Sequence, residues 1–361
     1  MIRIAIVGCG WVAGNQVETG FAALPDLFEI VACCDVDETR MDAFAGKYGI
    51  ARRVRDYADL LAIPGLDAVS ICTPPSEHHA MVRMALAAGK HALCEKPFTA
   101  SLALMDDVID AQKTAKARVM PIFQYRFGPG FAKARALVRS GVAGKLHTSS
   151  VETAWLRGVD YYRVPWRGKF ATELGGVLVT QSIHIHDLFM CLAGPVAEVA
   201  AFKATRVNPI EVEDCAVASL RMSDGSLASL TATLGSARPA TRFRLCFENL
   251  VVERECFDLE APKPALEPWR FLPKDPKLGA RIAEVVDGVG AGDLFFAGQF
   301  RAFHDALRDG REFDVTLADA RRALELITAI YHAADTGRTQ SLPITRDHPR
   351  YAGWSDSGTK G

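Results

Sequence analysis

The sequence lacks the features that mark several classes of protein. Lys and Arg number 42 against 43 Asp and Glu, so the formal net charge is -1. No basic field therefore favours nucleic acid or an anionic membrane. No uninterrupted apolar run is long enough to span a bilayer, and no internal repeat or low-complexity tract is present. We expect neither a nucleic-acid partner nor a membrane partner.

Cysteine occurs nine times but never as a C-x-x-C pair. Five cysteines lie within or beside apolar strand-like runs, which is typical of small buried side chains. These five are Cys9, Cys33, Cys34, Cys72 and Cys94. The first apolar run begins at residue 2, which leaves no room for a signal peptide. We therefore expect a reducing, cytoplasmic location.

The bulk composition is that of a globular protein. Hydrophobic residues make up 49% and charged residues 24% of the 361 residues, which are ordinary values. A chain of this length predicts two domains with ample core.

The opening stretch predicts a dinucleotide-binding turn. Ile2–Val7 is an apolar run of the buried parallel-strand type. Gly8 and Gly10 allow a tight turn and a close approach of the backbone to a ligand, while Ala13 lets the following helix pack on the strand. The amino terminus of that helix suits a pyrophosphate.

A second strand, 30–34, ends on Asp35. Its carboxylate is placed to accept hydrogen bonds from an adenosine ribose 2′-hydroxyl and would repel a 2′-phosphate, so we expect NAD rather than NADP. The alternative is a tight turn followed by an Asp that caps the next helix. Arg40 either lies near the adenosine or is a solvated helix residue.

Alternating strands and helices continue to residue 123 and predict about six parallel strands with right-handed crossovers. Loops after such strands line the ligand crevice. Thr73 and His78 follow the strand 66–72, although a solvated helical turn is the alternative for the histidine. Lys96 follows the strand 91–94 and is held extended by Pro97. By itself it also fits a surface lysine beside Glu95.

The pattern changes after residue 123. Long β-type runs joined by short turns predict an antiparallel sheet, with one helix inserted near 175–193. The predicted fold class is α/β: an amino-terminal Rossmann domain plus a carboxy-terminal α+β domain with a large, mainly antiparallel open sheet. The predicted domains are 1–123 and 124–344, followed by an exposed tail, 345–361. Within the second, 261–287 is expected to be a loop with a short helix.

The richest chemical segment of the second domain runs from Trp166 to Asp187. On a helix opened by Gly176, His184 shares a face with Thr180, Gln181 and Asp187. Such a histidine is either a general base or a buried side chain satisfied by the aspartate. His186 diverges from it and no further ligand set converges, so we expect no metal site.

These motifs together resemble the glucose–fructose oxidoreductase, inositol dehydrogenase and rhizopine-catabolism (Gfo/Idh/MocA) family. The resemblance extends from residue 1 to about residue 343. It is carried by Gly8-Cys-Gly10, Asp35, Thr73-Pro74 with His78, Glu95-Lys96-Pro97, Arg126-Phe127, and Trp166-Arg167 through His184 and Asp187.

The resemblance implies that Lys96 lies between nicotinamide and substrate and that His184 is the base. It implies a cofactor site formed by Gly8, Gly10, Trp11, Val12, Asp35, Arg40, Thr73, Pro74, His78, Glu95, Lys96, Gln124, Trp166 and Arg167. The expected substrate-binding residues are Lys96, Arg126, Thr180, Gln181 and His184. Many family members have an Asp at the position of Thr180, so the substrate contacts differ from those of inositol dehydrogenases.

The expected function is NAD-dependent hydride transfer between the nicotinamide and a sugar, cyclitol or sugar derivative. The expected assembly is a homodimer or homotetramer formed through the carboxy-terminal sheet. Two alternatives from the same family stay open, namely an NAD-dependent glycosidase with transient redox and a non-catalytic, nucleotide-dependent regulator.

Overall fold

The computed structural model describes residues 1–257 and 264–354 and divides them into two compact units. The first unit contains residues 1–124 and 293–321, and the second contains 125–292 and the chain from 322 onward. Residues 261–263 of the expected loop and 355–361 of the expected tail lie outside the described residues.

The first unit is built on a parallel sheet whose strand order, among the described residues, is β3-β2-β1-β4-β5-β6. Its strands are β1 (Ile2–Val7), β2 (Phe28–Cys34), β3 (Arg53–Val54), β4 (Ala68–Ile71), β5 (His91–Cys94) and β6 (Val119–Pro121). Its crossover helices are α1 (Trp11–Thr19), α2 (Glu38–Tyr48), α3 (Tyr57–Leu61), α4 (His78–Ala87) and α5 (Leu102–Thr114). The order reverses between β1 and β4, and ligands bind at such a switch point.

The second unit is built on a sheet with strand order β13-β12-β11-β7-β10-β9-β8-β14 among the described residues. Its strands are β7 (Leu146–Leu156), β8 (Val196–Ala204), β9 (Cys215–Met222), β10 (Leu227–Thr233), β11 (Gly235–Phe247), β12 (Leu250–Phe257), β13 (Arg270–Pro273) and β14 (Gln340–Ser341). Its helices are α6 (Pro129–Arg139), α7 (Phe170–Glu173), α8 (Val177–Thr180), α9 (Ser182–Ala193) and α10 (Gly279–Asp287).

Pairing in this second sheet is mainly antiparallel, as predicted, with a parallel pair between β7 and β10. That pair differs from the expected meander because α7 to α9, β8 and β9 intervene in the chain, so no hairpin turn constrains the two strands. Side chains along β9 alternate between buried and exposed, which is the pattern of a sheet covered on one face.

Two helices follow β13 and α10. Helix α11 (Phe295–Arg308) lies in the first unit, and helix α12 (Leu317–Thr336) contains the division between the units. The sequence interpretation assigned residues 293–321 to the second domain. They cluster with the first because Phe300 stacks on Phe21, with ring centroids 4.3 Å apart, and Gln299 donates to the Pro121 carbonyl over 2.7 Å.

The inserted helix predicted near 175–193 is broken. Helices α8 and α9 are separated at Gln181, and the segments 170–180 and 182–193 are bent by 45° relative to each other.

Residues 345–354 are only partly exposed, which corrects the predicted tail in part: residues 345–347, 349 and 352 are exposed, but the stretch ends on a buried side chain. Trp354 is buried and donates its Nε1–H to Thr328 Oγ1 over 2.9 Å. Its ring lies 5.0 Å from that of Tyr331 on α12. Arg350 pairs with Asp335 over 3.2 Å.

Within the described residues, no single helix is long and apolar enough to cross a membrane. By length and composition alone, the bent pair 170–180 and 182–193 meets the criterion together.

Candidate active site

The turn after β1 has the geometry that a dinucleotide phosphate requires. Gly8 has φ +85°, and a Cβ there would lie 2.9 Å from the backbone of Cys72 and Thr73. The chain from β4 therefore passes too close for any side chain at this position. A Cβ at Gly10 would meet no atom within 4 Å, so the space above the turn is open. Helix α1 starts there, with Trp11 exposed and Val12 half-buried.

Asp35 lies at the end of β2 as predicted, and its carboxylate organises the adjoining turns. Its oxygens accept the backbone N–H groups of Cys9, over 2.8 Å, and Asp37, over 2.9 Å. Arg40 donates to both oxygens, over 3.0 and 3.1 Å. Of the two expectations for Arg40, the structure places its guanidinium beside Asp35, at the adenosine end of the predicted site.

His78 is fully buried, which differs from the expectation that it contacts the cofactor directly. Its Nδ1 lies 2.8 Å from the Pro97 carbonyl and its Nε2 lies 2.9 Å from the Thr73 carbonyl. Burial lowers the pKa of His78, so the neutral ring donates to one carbonyl. These two contacts of the His78 ring hold together the loops that carry Thr73 and Lys96.

Glu95 is also buried beneath the surface of the predicted site. It accepts a hydrogen bond from Gln16 Nε2 over 2.9 Å, and Gln16 accepts one from Ser70 Oγ over 2.6 Å. Burial raises the pKa of the Glu95 carboxyl, whereas the adjacent Lys96 lowers it. The Lys96 backbone N–H donates to Glu95 over 3.3 Å, so this chain of polar groups anchors the lysine at the end of β5.

Sequence reasoning missed Gln16 and Ser70. The signal available was the buried stripe of α1, where Gln16 follows Ala13 by three residues and faces the sheet. A polar side chain on that stripe requires a buried partner.

Gln124 follows β6 and is the last residue of the amino-terminal segment of the first unit. Its Oε1 atom is buried and has no hydrogen-bond partner within the described part of the chain. A buried amide oxygen without a partner is uncommon and suits a ligand donor. Together with the open space at Gly10 and the Asp35 carboxylate, it fits a nicotinamide dinucleotide.

In the second unit, His184 lies in the first turn of α9 and is 5% exposed. Its ring lies against that of Tyr125, with centroids 4.9 Å apart. Thr180 donates to the Gly176 carbonyl over 2.8 Å and also bonds Gln181. The amide of Gln181 donates to the Tyr161 hydroxyl over 3.0 Å.

Asp187 and Arg126 form a buried ion pair. Two guanidinium nitrogens of Arg126 donate to the two oxygens of Asp187, over 2.7 and 2.5 Å. This corrects the expectation that Arg126 contacts a substrate, because two of its nitrogens are committed to Asp187, the aspartate that shares a helix with His184. The pair joins the segment before α6 to α9 and fixes the helix that carries His184.

The start of α8 is fixed by Glu213, another residue that sequence reasoning missed. Its carboxylate accepts the N–H groups of Gly176, over 3.1 Å, and Leu178, over 3.0 Å, and the hydroxyl of Tyr331 over 2.6 Å. Burial raises the pKa of Glu213. A side chain at Gly176 would overlap the Glu213 carbonyl, which explains the second glycine of the Gly-Gly pair.

Arg167 is held between two aromatic rings. Its guanidinium lies 3.9 Å from the Tyr161 ring centroid and 4.4 Å from that of Trp166. It also donates to the Tyr161 hydroxyl and, over 3.3 Å, to the buried carboxylate of Glu173. A planar cation stacked and bonded in this way keeps one orientation.

His186 faces away from this cluster, as predicted. It lies beside Leu178, Ala216 and Leu230, and burial lowers its pKa to about 4. Its neutral ring has the role of a core side chain. Within the described ranges, no group of three or more His, Cys, Asp or Glu side chains is arranged to hold a metal ion.

Two family models match the chain. Residues 2–123 match the oxidoreductase family, NAD-binding Rossmann fold (GFO_IDH_MocA), and residues 131–252 match the GFO/IDH/MocA C-terminal domain. The two matches together cover about two thirds of the chain.

Individual relatives agree with these matches. The uncharacterized oxidoreductase YrbE of Bacillus subtilis is 30% identical over 63% of this chain, and the aligned part spans 65% of YrbE, just under two thirds of its length. The D-apiose dehydrogenase of Paraburkholderia graminis is 26% identical over 94% of this chain and 89% of its own.

A solved structure gives the same result. The WlbA dehydrogenase from Bordetella pertussis, in complex with NADH and UDP-GlcNAcA, is 26% identical with a TM-score of 0.83, over 95% of this chain and 98% of its own. The expected family, its two-part α/β fold and NAD as the cofactor are thereby confirmed. The chain belongs to the GFO/IDH/MocA family of oxidoreductases.

Proposed function

We propose that this protein is an NAD-dependent dehydrogenase that oxidises a secondary alcohol of a sugar, cyclitol or sugar derivative, or reduces the corresponding ketone. The observation that carries the proposal is that the backbone positions of two residues are fixed. Lys96 is fixed at the end of a Rossmann strand by Glu95, and His184 is fixed at the start of α9 by the Arg126–Asp187 pair. The naming of a relative as D-apiose dehydrogenase supports a carbohydrate substrate.

In this proposal His184 and Lys96 act on the same substrate hydroxyl in different ways. When bound, NAD supplies the acceptor for the hydride. His184 removes the proton of the substrate hydroxyl as the carbonyl forms. The Lys96 ammonium stabilises the negative charge that develops on that oxygen. In the reverse direction the histidine returns the proton.

The cofactor assignments also belong to the proposal. Gly8, Gly10, Trp11 and Val12 would hold the pyrophosphate, and Asp35 would hold the ribose. Thr73, Pro74, Gln124 and Trp166 would line the remaining surface, with Arg167 beside Trp166. His78 and Glu95 act as positioning residues behind it, because both are buried and bonded to protein groups. Thr180 and Gln181 would contact the substrate beside His184.

Replacement of the two central side chains tests this function. Lys96→Met removes the ammonium and His184→Asn removes the base, and each should lower kcat by about 100- to 10,000-fold. The affinity for NAD, measured by titration calorimetry, should change by less than about threefold. The exposed residues Lys113 and His147 supply matched controls, Lys113→Met and His147→Asn, that should retain full activity. Full turnover by Lys96→Met would contradict the proposal.

The proposal extends to a homo-oligomer in the cytoplasm. On the outer face of the second sheet, Phe202 is 75% exposed and Val217, its cross-strand neighbour, is 47% exposed. Such an apolar patch suits contact with a second copy. All nine cysteines are free, which suits a reducing compartment. Phe202→Glu should lower the molar mass measured by light scattering, and an unchanged mass would contradict the interface.

A further inference from the structure

A cavity of about 340 Å³ lies within the second unit, alongside the segment that carries Arg167. Its apolar wall comes from Val159, Pro209 and Ile210. Its charged side chains are Arg163, Arg167, Lys169 and Glu211.

The cavity has a fixed wall on the side of residues 206–211. Asp214 is fully buried and accepts three consecutive backbone N–H groups, from Arg206, Val207 and Asn208, over 2.6, 2.9 and 2.7 Å. Asn208 donates its side-chain amide to the Arg157 carbonyl over 3.0 Å. These bonds hold the wall in place without a ligand, which lowers the cost of binding one.

Positive charge predominates among the groups that face the cavity, three cations against one carboxylate. Arg163 pairs with Asp160 over 3.0 Å, but both side chains are more than three quarters exposed, so the pair is weak and easily exchanged. Lys169 is exposed and forms no ion pair with any described residue. Its ammonium is available to a ligand.

Arg167 adds donors of fixed direction. Its Nη1 is occupied by Tyr161 and Glu173, whereas Nε and Nη2 donate to no other described residue. A guanidinium held by two aromatic rings retains a planar set of N–H groups that suits a carboxylate or a phosphoryl group.

The cavity also connects to the proposed base. Arg167 bonds the Tyr161 hydroxyl, and the same hydroxyl accepts from Gln181, three residues before His184. A molecule that occupies the cavity and reaches Arg167 therefore lies on a continuous polar path to α9.

We infer that this cavity binds the anionic group, a carboxylate or a phosphoryl group, of an acidic sugar derivative, and that acidic sugars are the preferred substrates. The inference rests on the proposed function and specifies its substrate class. Lys169 and Arg167 hold the anion, and Glu211 limits the total negative charge that the cavity accepts.

Two substitutions of opposite sign test the inference. Lys169→Gln removes a cation, and Glu211→Gln removes the carboxylate at an exposed position with little change of shape. We expect Lys169→Gln to lower kcat/KM for acidic sugars by about tenfold and Glu211→Gln to raise it by several fold, through KM. Neither should change kcat/KM for neutral aldoses by more than about twofold.

The probes are D-glucuronate and D-glucose 6-phosphate, compared with D-glucose, and the uronates of other aldoses compared with their parent sugars. Uronates and phosphates distinguish the two sources of the anion. Lys145→Gln, at an exposed site away from the cavity, is the matched charge control and should leave all values unchanged. Binding of the same probes by calorimetry gives a second measurement that does not depend on turnover.

The outcomes separate the inference from the proposed function. Better turnover of neutral than of acidic sugars, or equal effects of Lys169→Gln on both classes, would overturn the inference and leave the dehydrogenase intact. Absence of NADH formation with every sugar and alcohol would overturn both. Opposite effects of the two substitutions, confined to acidic sugars, are the result that the cavity predicts.

Discussion

Replacing Asp35 by Asn probes how the first unit selects its cofactor. Asparagine keeps an oxygen to accept the Cys9 N–H, but it removes the charge that faces Arg40. The substitution has two consequences for NADP. A 2′-phosphate is no longer repelled by a carboxylate, and the guanidinium of Arg40 is released from its two hydrogen bonds to bind it.

The size of the effect follows from these contacts. Two unit charges 4 Å apart interact by about 1 kcal/mol in water and about 4 kcal/mol at an effective dielectric constant of 20. Arg40 is half-exposed, so we take a value near the lower limit. A new hydrogen bond between charged groups adds about 1.5 to 3 kcal/mol. The sum, about 2.5 to 4 kcal/mol, corresponds to an increase of about 70- to 900-fold in the ratio of kcat/KM for NADP over NAD.

Steady-state kinetics with each cofactor and one saturating substrate measure this ratio. Asp37→Asn is the matched control, because Asp37 lies 3.5 Å from Arg40 and asparagine can still accept the helix-capping hydrogen bond. It should change the ratio by less than about threefold. Adding Arg40→Gln to Asp35→Asn should remove most of the gain with NADP. If Asp35→Asn leaves the ratio within threefold of the original, Asp35 does not select the cofactor.

Three further predictions concern stability. The pKa of His186, about 4 when folded and about 6.5 when unfolded, means that the unfolded chain binds more protons between these values. The free energy of unfolding should therefore fall by up to about 3 kcal/mol as the pH drops through this window. Urea titrations of His186→Leu at several pH values should show a weaker dependence of this free energy on pH. The same pH dependence in both proteins would contradict the burial of a neutral His186. Trp354→Ala should cost about 3 to 5 kcal/mol in the free energy of unfolding, and a loss below about 1 kcal/mol would mean that the residues after 345 do not pack. Gly176→Ala should lower the free energy of unfolding by about 1 to 3 kcal/mol and lower kcat. Gly46→Ala, whose added methyl group would meet no atom within 4 Å, should not lower the free energy of unfolding. Equal effects of the two substitutions would contradict the close contact between Gly176 and Glu213.

Local signals were sufficient to predict the first unit. The order of strand, glycine turn, helix, strand and acid places Gly8 and Asp35 by rules that depend on neighbouring residues only. The apolar run Ile2–Val7 and the strand predicted at 91–94 have the observed bounds of β1 and β5. The exception is α11, whose membership in the first unit depends on Phe300 meeting Phe21, almost 280 positions away in the chain.

The candidate site was predictable by residue type but not by partner. The sequence placed Asp187 on one helix face with His184 and listed Arg126 as a substrate residue, but it did not indicate that Arg126 pairs with the aspartate. The break at Gln181 was not predicted either. The start of α8 is fixed by Glu213, which lies 37 positions after Gly176 and is therefore not part of the local pattern. Tertiary partners of this kind override helical periodicity.

The proposed dehydrogenase activity is tested most directly by the formation of NADH by the purified chain, followed by near-ultraviolet absorbance. NAD and NADP are supplied separately with aldoses, cyclitols, uronates, sugar phosphates and aryl glycosides. We expect NADH from one class of sugar or cyclitol, with NAD preferred over NADP. Cleavage of an aryl glycoside without NADH, or NAD binding without turnover of any compound, would contradict it.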